Sequence, residues 1–225
     1  YEKAAERGAK LGIMVIKGVE ITRGNEGDYN ALFTTDNNKI YDPNLEKTIR
    51  NAREQGAFIF HNHPCKFSSQ YAKRQPTHCA YLYNGGLIDG MELANGFYIW
   101  NNLIDYCFNN DYTPIATSDV HDLIATRFPG AGREYFRNMT LILSKKCDNK
   151  SIKAALLAKR TIAYCGNVLI GNEYLLSELF KACVEIETIA VGQHSKRVLI
   201  TNRSSLPYSF RWESGKESFV AGLSA

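Results

Sequence analysis

The chain has 225 residues, 44% hydrophobic and 22% charged, which is enough for a full core in one domain or one domain with a small appendage. A net charge of +4 without any block of five like charges is too weak and dispersed to argue for nucleic acid and is compatible with a small phosphorylated substrate. No apolar run approaches the ~18 residues of a membrane span, and six scattered cysteines without a CxxC read as free thiols rather than a disulfide framework.

Residues 1–11 have helical rhythm, with Gly12 as the stop. A chain that opens on Tyr1, already in that rhythm, looks cut, so no compartment or oligomeric state is read from it. Expected next are a strand over 13–19, a short strand over Asn30–Thr35, a helix from Asp42-Pro43 to Gln55 broken by Gly56, and a strand over 57–62. A polar loop over 64–78 follows, then a helix near 77–84, a strand over 87–93, a helix near 97–109 and a strand over 112–117. After a Gly-rich loop over 122–134 come strand 139–144, helix 150–159, strand 161–165 and helix 172–183. Gly166–Gly171 lacks the lysine and glycine spacing of a phosphate loop and reads as a hairpin or tight turn. Strands alternating with helices at this spacing predict a parallel sheet, doubly wound or closed as a barrel, with its site at the carboxyl ends of the strands. Val184–Val191, Arg197–Thr201 and Tyr208–Trp212 alternate as β with no helix between, which predicts a small β extension.

Ligand-type residues cluster where the predicted strands end. Ser118-Asp119-Val120-His121 follows an apolar run, and an Asp and a His two apart on extended backbone point the same way. Gly18-Val19-Glu20 and His61-Asn62-His63-Pro64 close two earlier strands. Carboxylates and imidazoles at neighbouring strand ends are the makings of a metal site, and imidazole favours zinc, iron or manganese. Divalent ions of that kind supply what phosphate-ester hydrolysis needs: hydroxide near neutral pH and positive charge against the phosphoryl oxygens.

In their order and spacing, Gly18–Thr22, Asn62-His63-Pro64, Gly90–Gly96 and Ser118–His121 resemble the motifs of the polymerase and histidinol phosphatase (PHP) superfamily of metal-dependent phosphoesterases. The similarity extends through Arg137–Leu143 and Ala158–Thr161, and is greatest to a phosphodiesterase branch in which a small β unit follows the PHP domain. The resemblance implies a distorted (β/α)7 TIM-like barrel over 1–185, a β extension over 186–225, and two or three divalent ions (zinc, manganese or iron). It implies Glu20 as bridging ligand and His63, Asp119 and His121 as further ligands, with Asp119 and His121 closest to the chemistry. Asp28 stands where the family usually has His, and Asn95 where relatives often place a ligand. The family's first motifs, an HxH and a Thr-Asp-His, match nothing in residues 1–12, so the first two βα units are expected upstream of this chain.

Each residue also has a plainer reading: a capping Asp, a satisfied buried His, a strand-end salt bridge. His61 shares a strand face with His63 by alternation and is a further candidate ligand or substrate contact. Arg23, Arg137 and Arg160, with Asn95, are candidates to bind the phosphate, although each arginine also fits a surface or helix-end role. The expected activity is hydrolysis of a phosphate monoester or diester by metal-bound hydroxide. The alternatives are an amidohydrolase-like amide or lactone hydrolase, and a non-catalytic PHP-type binding scaffold.

Overall fold

The computed structural model describes residues 1–64, 80–128, 137–194, 196–211 and 217–220. The chain divides into two compact units, Tyr1–Gly171 and Asn172–Ala225. In chain order the first unit contains α1 (Glu2–Lys10), β1 (Gly18–Thr22), β2 (Asp28–Leu32), α2 (Leu45–Glu54), β3 (Phe58–Asn62), α3 (Ala80–Asn84), β4 (Gly90–Asn95) and β5 (Tyr98–Ile99). It continues with α4 (Asn101–Asn109), β6 (Thr113–Thr117), α5 (Ile124–Arg127), β7 (Met139–Ile142), α6 (Asn149–Leu157), β8 (Thr161–Cys165) and β9 (Val168–Gly171). The second unit is α7 (Glu173–Cys183) with two antiparallel hairpins, β10 (Val184–Val191) with β11 (Lys196–Asn202) and β12 (Tyr208–Arg211) with β13 (Glu217–Val220). No described helix is long and apolar enough to cross a membrane.

The sheet is mixed, which corrects the all-parallel expectation. β1, β2 and β3 are antiparallel neighbours, while β3–β4 and β4–β6 are parallel. Only Arg23–Gly27 joins β1 to β2, a connection far too short for a crossover between parallel strands. The expected strand at 13–19 also moves, to 18–22. Ile13–Lys17 is largely apolar but pairs with no strand among the described residues; Ile13 N–H instead donates to Gly8 O at 2.8 Å, and the ladder with β2 starts at Gly18. The strand expected at 30–35 likewise starts and ends earlier, at 28–32, because Phe33 turns away with φ 65°.

The sheet buries both faces. Tyr29, Ala31, Ile59, Met91 and Leu93 pack with Leu45, Ile49, Ala52, Leu82 and Leu103 from the helices, while Phe58, Phe60, Ile115 and Leu156 form a second cluster. Beyond β6 a three-stranded antiparallel sheet, β7–β8–β9, packs through threonine hydroxyls. Thr140 Oγ1 lies 3.0 Å from Ala116 N and 2.9 Å from Ala116 O, and Thr161 Oγ1 donates to Pro114 O at 2.9 Å. Pro114 has no N–H to offer a further strand, so side chains make that link. No sheet closes on itself among the described residues. Gly166 and Asn167 (φ 54° and 63°) form a two-residue turn between β8 and β9, as the hairpin reading expects.

β4 is buried at every residue, and Asp89 fixes its start. The Asp89 carboxylate accepts from Arg53 Nη1 at 2.7 Å and from Ile59 N–H at 2.8 Å, tying α2 and β3 to the head of β4. Replacing it strands a buried N–H and an arginine. Asp89→Ala is therefore expected to destabilise the protein by about 2–3 kcal/mol, measured by urea denaturation.

Candidate metal centre

Strand alternation decides which side chains can meet. Glu20 pairs with Asn30, and Asp28 pairs with both Thr22 and Asn62, so Glu20, Asn30, Asp28 and Asn62 share one face. Tyr29 and His61 pair on the other, helix-covered face. Hydrogen bonds then set the acids: Asn30 Nδ2 donates to Asn62 Oδ1 at 2.9 Å, and Asn62 Nδ2 donates to Glu20 Oε1 at 3.0 Å.

His63 lies one residue past β3, where alternation would return it to the face of His61. It does not go there. Its φ of 26° is left-handed, and its imidazole joins Glu20 and Asp28 in a triad whose ligand atoms lie within 4.8 Å of one another. His63 Nε2 is 3.7 Å from Asp28 Oδ2, too long for a hydrogen bond. Two atoms each ~2.0–2.2 Å from a shared ion can be no more than about 4.4 Å apart, so the 3.7 Å between this pair fits metal ligands. Asp28 Oδ1 is buried without a hydrogen-bond partner. A buried carboxylate oxygen in that state calls for a cation. The donor set, one imidazole and two carboxylates, fits a divalent ion.

His61 is therefore not beside His63. It is 1% exposed, with its ring stacked on Tyr29 at 4.5 Å and its Nδ1 2.5 Å from Tyr83 Oη. The inference that it shares the face of His63 fails because His63 leaves the strand in a left-handed turn.

Asp119 and His121 follow β6 and form their own pair, with His121 Nε2 3.0 Å from Asp119 Oδ1. They are not part of the close triad. Asp119, like His63, has left-handed backbone (φ 47°), and the His121 side chain is 80% exposed. The two groups are linked by Glu92, which sequence reasoning passed over although it lies within a quoted motif. Glu92 Oε2 accepts from His63 N–H at 2.5 Å and from Asn95 Nδ2 at 3.1 Å, and its Oε1 is 2.5 Å from Thr117 Oγ1. Asn95 thus has its amide on Glu92. Burial, with a smaller contribution from the Asp119 charge, pushes the Glu92 carboxyl up to about 7, against the lowering effect of its hydrogen bonds. The signal that could have found it is an acid inside a continuously apolar strand.

Arg23 donates to Asp42 O and, at 2.8 Å, to Thr48 Oγ1, and its guanidinium lies over Tyr41. Arg160 precedes β8 near Pro114, at the end of β6 opposite Asp119, and its Nε is buried without a partner. Arg137 is exposed just before β7. Phe97, just past the end of β4, is 53% exposed, packs on Phe128 at 4.9 Å and lies under Arg127 at 5.2 Å. All but the first residue of the polar loop over 64–78 and the second part of the Gly-rich loop over 122–134 lie outside the described residues, as do Cys65, Cys79 and His78. Cys107, Cys147, Cys165 and Cys183 are free thiols.

The chain is similar, at 36% identity and a TM-score of 0.86, to a two-domain protein from Bacteroides vulgatus that contains a predicted PHP-like metal-dependent phosphoesterase. The match covers 93% of this chain and 62% of that one, so this chain spans less than two thirds of its relative. That likeness supports the PHP superfamily and no particular branch of it. No family model and no curated protein matches the chain.

Glu92 also makes the metal-free protein sensitive to pH. A carboxyl whose pKa rises on folding, here from 4.5 to about 7, favours the folded state while protonated. That contribution is complete below about 4.5 and disappears as pH climbs through about 7. The loss is on the order of 3 kcal/mol at about 1.4 kcal/mol per unit. Chelator-stripped Glu92→Gln is expected to lack this decline when unfolding free energy is followed from pH 4.5 to 8.

Proposed function

We propose that this chain carries the metal centre of a PHP-type phosphoesterase that hydrolyses a small phosphate ester. One observation carries the reading: Glu20, Asp28 and His63 converge at a strand-end rim with a buried, unpartnered carboxylate oxygen among them. The fold would be the distorted seven-stranded barrel of that superfamily. The resident ions would be zinc, manganese or iron, which suit mixed imidazole and carboxylate donors. When bound, they supply positive charge against the phosphoryl oxygens and acidify water near neutral pH.

The residues of the chain divide the remaining work. Glu20, Asp28 and His63 hold the ions, with Asn62 orienting Glu20 and Asp119 extending the ligand set from β6. Asp119 fixes the His121 imidazole through Nε2, which leaves the other ring nitrogen in solvent to pass a proton to the departing alkoxide. Arg137 and Arg127 are the arginines to meet the phosphate from solvent, because Arg23 is engaged with Asp42 and Thr48. A phosphodiester is the favoured substrate class, following the branch that the sequence most resembles.

Asp28→Ala is expected to remove at least one equivalent of bound metal and to lower hydrolysis of a chromogenic phosphodiester by more than a hundredfold in the full-length protein. Elemental analysis beside the rate assay checks both, and unchanged metal content would overturn the assignment. His121→Gln is expected to slow esters of poor alkyl leaving groups about a hundredfold while sparing a nitrophenyl ester to within fivefold, since only the former need a proton. Equal losses on both would remove His121 from the proton-donor role.

A further inference from the structure

Of the acids at the rim, Glu92 is the most deeply buried, at 1% exposure, yet it is outside the triad. Its partners come from three parallel strand ends: the His63 backbone after β3, Asn95 at the end of β4, and Thr117 at the end of β6. The contact with His63 is to its N–H, at the one residue whose backbone departs from the strand. Two local preferences oppose that departure. A non-glycine residue avoids left-handed backbone, and a residue followed by proline, as His63 is by Pro64, prefers an extended conformation. Something outside the segment must hold it, and the short bond from His63 N–H to Glu92 Oε2 is in place to do so.

We propose that Glu92 is the positioning residue of the metal centre, holding His63 in the left-handed turn that directs its imidazole onto Glu20 and Asp28. What His63 is positioned for rests on the metal reading above; the turn itself does not. Thr117 and Asn95 keep the carboxyl from rotating, so the direction of the His63 N–H is fixed by β4 and β6 as well as by β3. The effect is geometric, because an amide in the same place can accept from His63 N–H with its oxygen and donate to the Thr117 hydroxyl with its nitrogen.

Zinc titration of the chelator-stripped protein by calorimetry, paired with crystal structures of the same metal-free variants, tests this. Glu92→Ala is expected to weaken zinc binding ten- to a hundredfold and to let His63 return to extended backbone. Glu92→Gln is expected to bind within threefold of the wild type and to keep the positive φ. Glu92→Met, close in volume and without a carboxyl, replaces the alanine variant should the alanine cavity unfold the chain. Wild-type affinity in Glu92→Ala or Glu92→Met, or a His63 that stays left-handed in either, overturns the proposal. So does a Glu92→Gln as weak as Glu92→Ala, which would mean that charge or direct ligation matters rather than position. Should the wild type bind no zinc, manganese or iron, the metal reading fails, and the His63 conformation in the variants still decides the role of Glu92.

Discussion

A strand buried on both faces has no water to satisfy its polar groups, so every acid on it must be answered by protein. β4 is that strand here, and the arrangement of the first unit follows from how the acid within it, Glu92, and the acid just before it, Asp89, are answered. At its head Asp89 takes the Ile59 N–H and Arg53, while the Asp89 backbone bonds Ile59 O at 2.7 Å and Thr113 N at 3.0 Å. At its tail Glu92 takes the His63 N–H and the Thr117 hydroxyl. The same neighbours, β3 and β6, are gripped at both ends. Their registers against β4 are thereby fixed, and their carboxyl ends are brought to one rim. Gly90 allows this closeness: a Cβ there would lie 3.0 Å from Thr113 O and 3.1 Å from the Phe58 ring.

From that rim the site follows by parity. Once β2 is antiparallel between β1 and β3, Glu20, Asp28 and Asn62 must share a face, and His61 must lie on the other with Tyr29. His61 then serves the helix-side packing, stacked on Tyr29 and tilted against Tyr83. Gly27 belongs to the same packing, because a Cβ at its φ of 92° would come within 2.7 Å of His61 Nε2. The neighbouring histidines of His61-Asn62-His63 therefore have different surroundings, one packed under the sheet and one at the rim.

How far the sequence could be read depended on whether the determining interaction was local. The helix over Leu45–Glu54, the strands at 58–62, 113–117 and 161–165, and the turn at Gly166-Asn167 are encoded by caps, β-rich runs and turn residues within their own segments. The ligand-type residues at strand ends were legible for the same reason. Strand direction was not, because an antiparallel β1–β2 pair is specified by partner choice and connection length rather than by any single residue. Ile13–Lys17 looks like a strand by composition and has no partner strand among the described residues. The separation of His61 from His63 was hidden more deeply, since it depends on a backbone turn imposed by an acid 29 positions away.

Left-handed residues elsewhere in the chain show what is distinctive about the rim. Asp111 and Lys159 follow α4 and α6 and end them in the ordinary way, with N–H groups returning to Phe108 O and Leu156 O. Asn167 is half of a hairpin turn, and Phe33 carries the chain off β2 while its N–H donates to Lys17 O. Each of these is explained by a local chain reversal. His63 and Asp119 follow the carboxyl ends of the two strands that flank β4, carry ligand-type side chains, and lie on either side of Glu92. Strain of this kind persists only where the surroundings over-determine it. Here the surroundings are a buried carboxyl held from three strands, which makes the rim the place where the fold forces its backbone to present particular side chains.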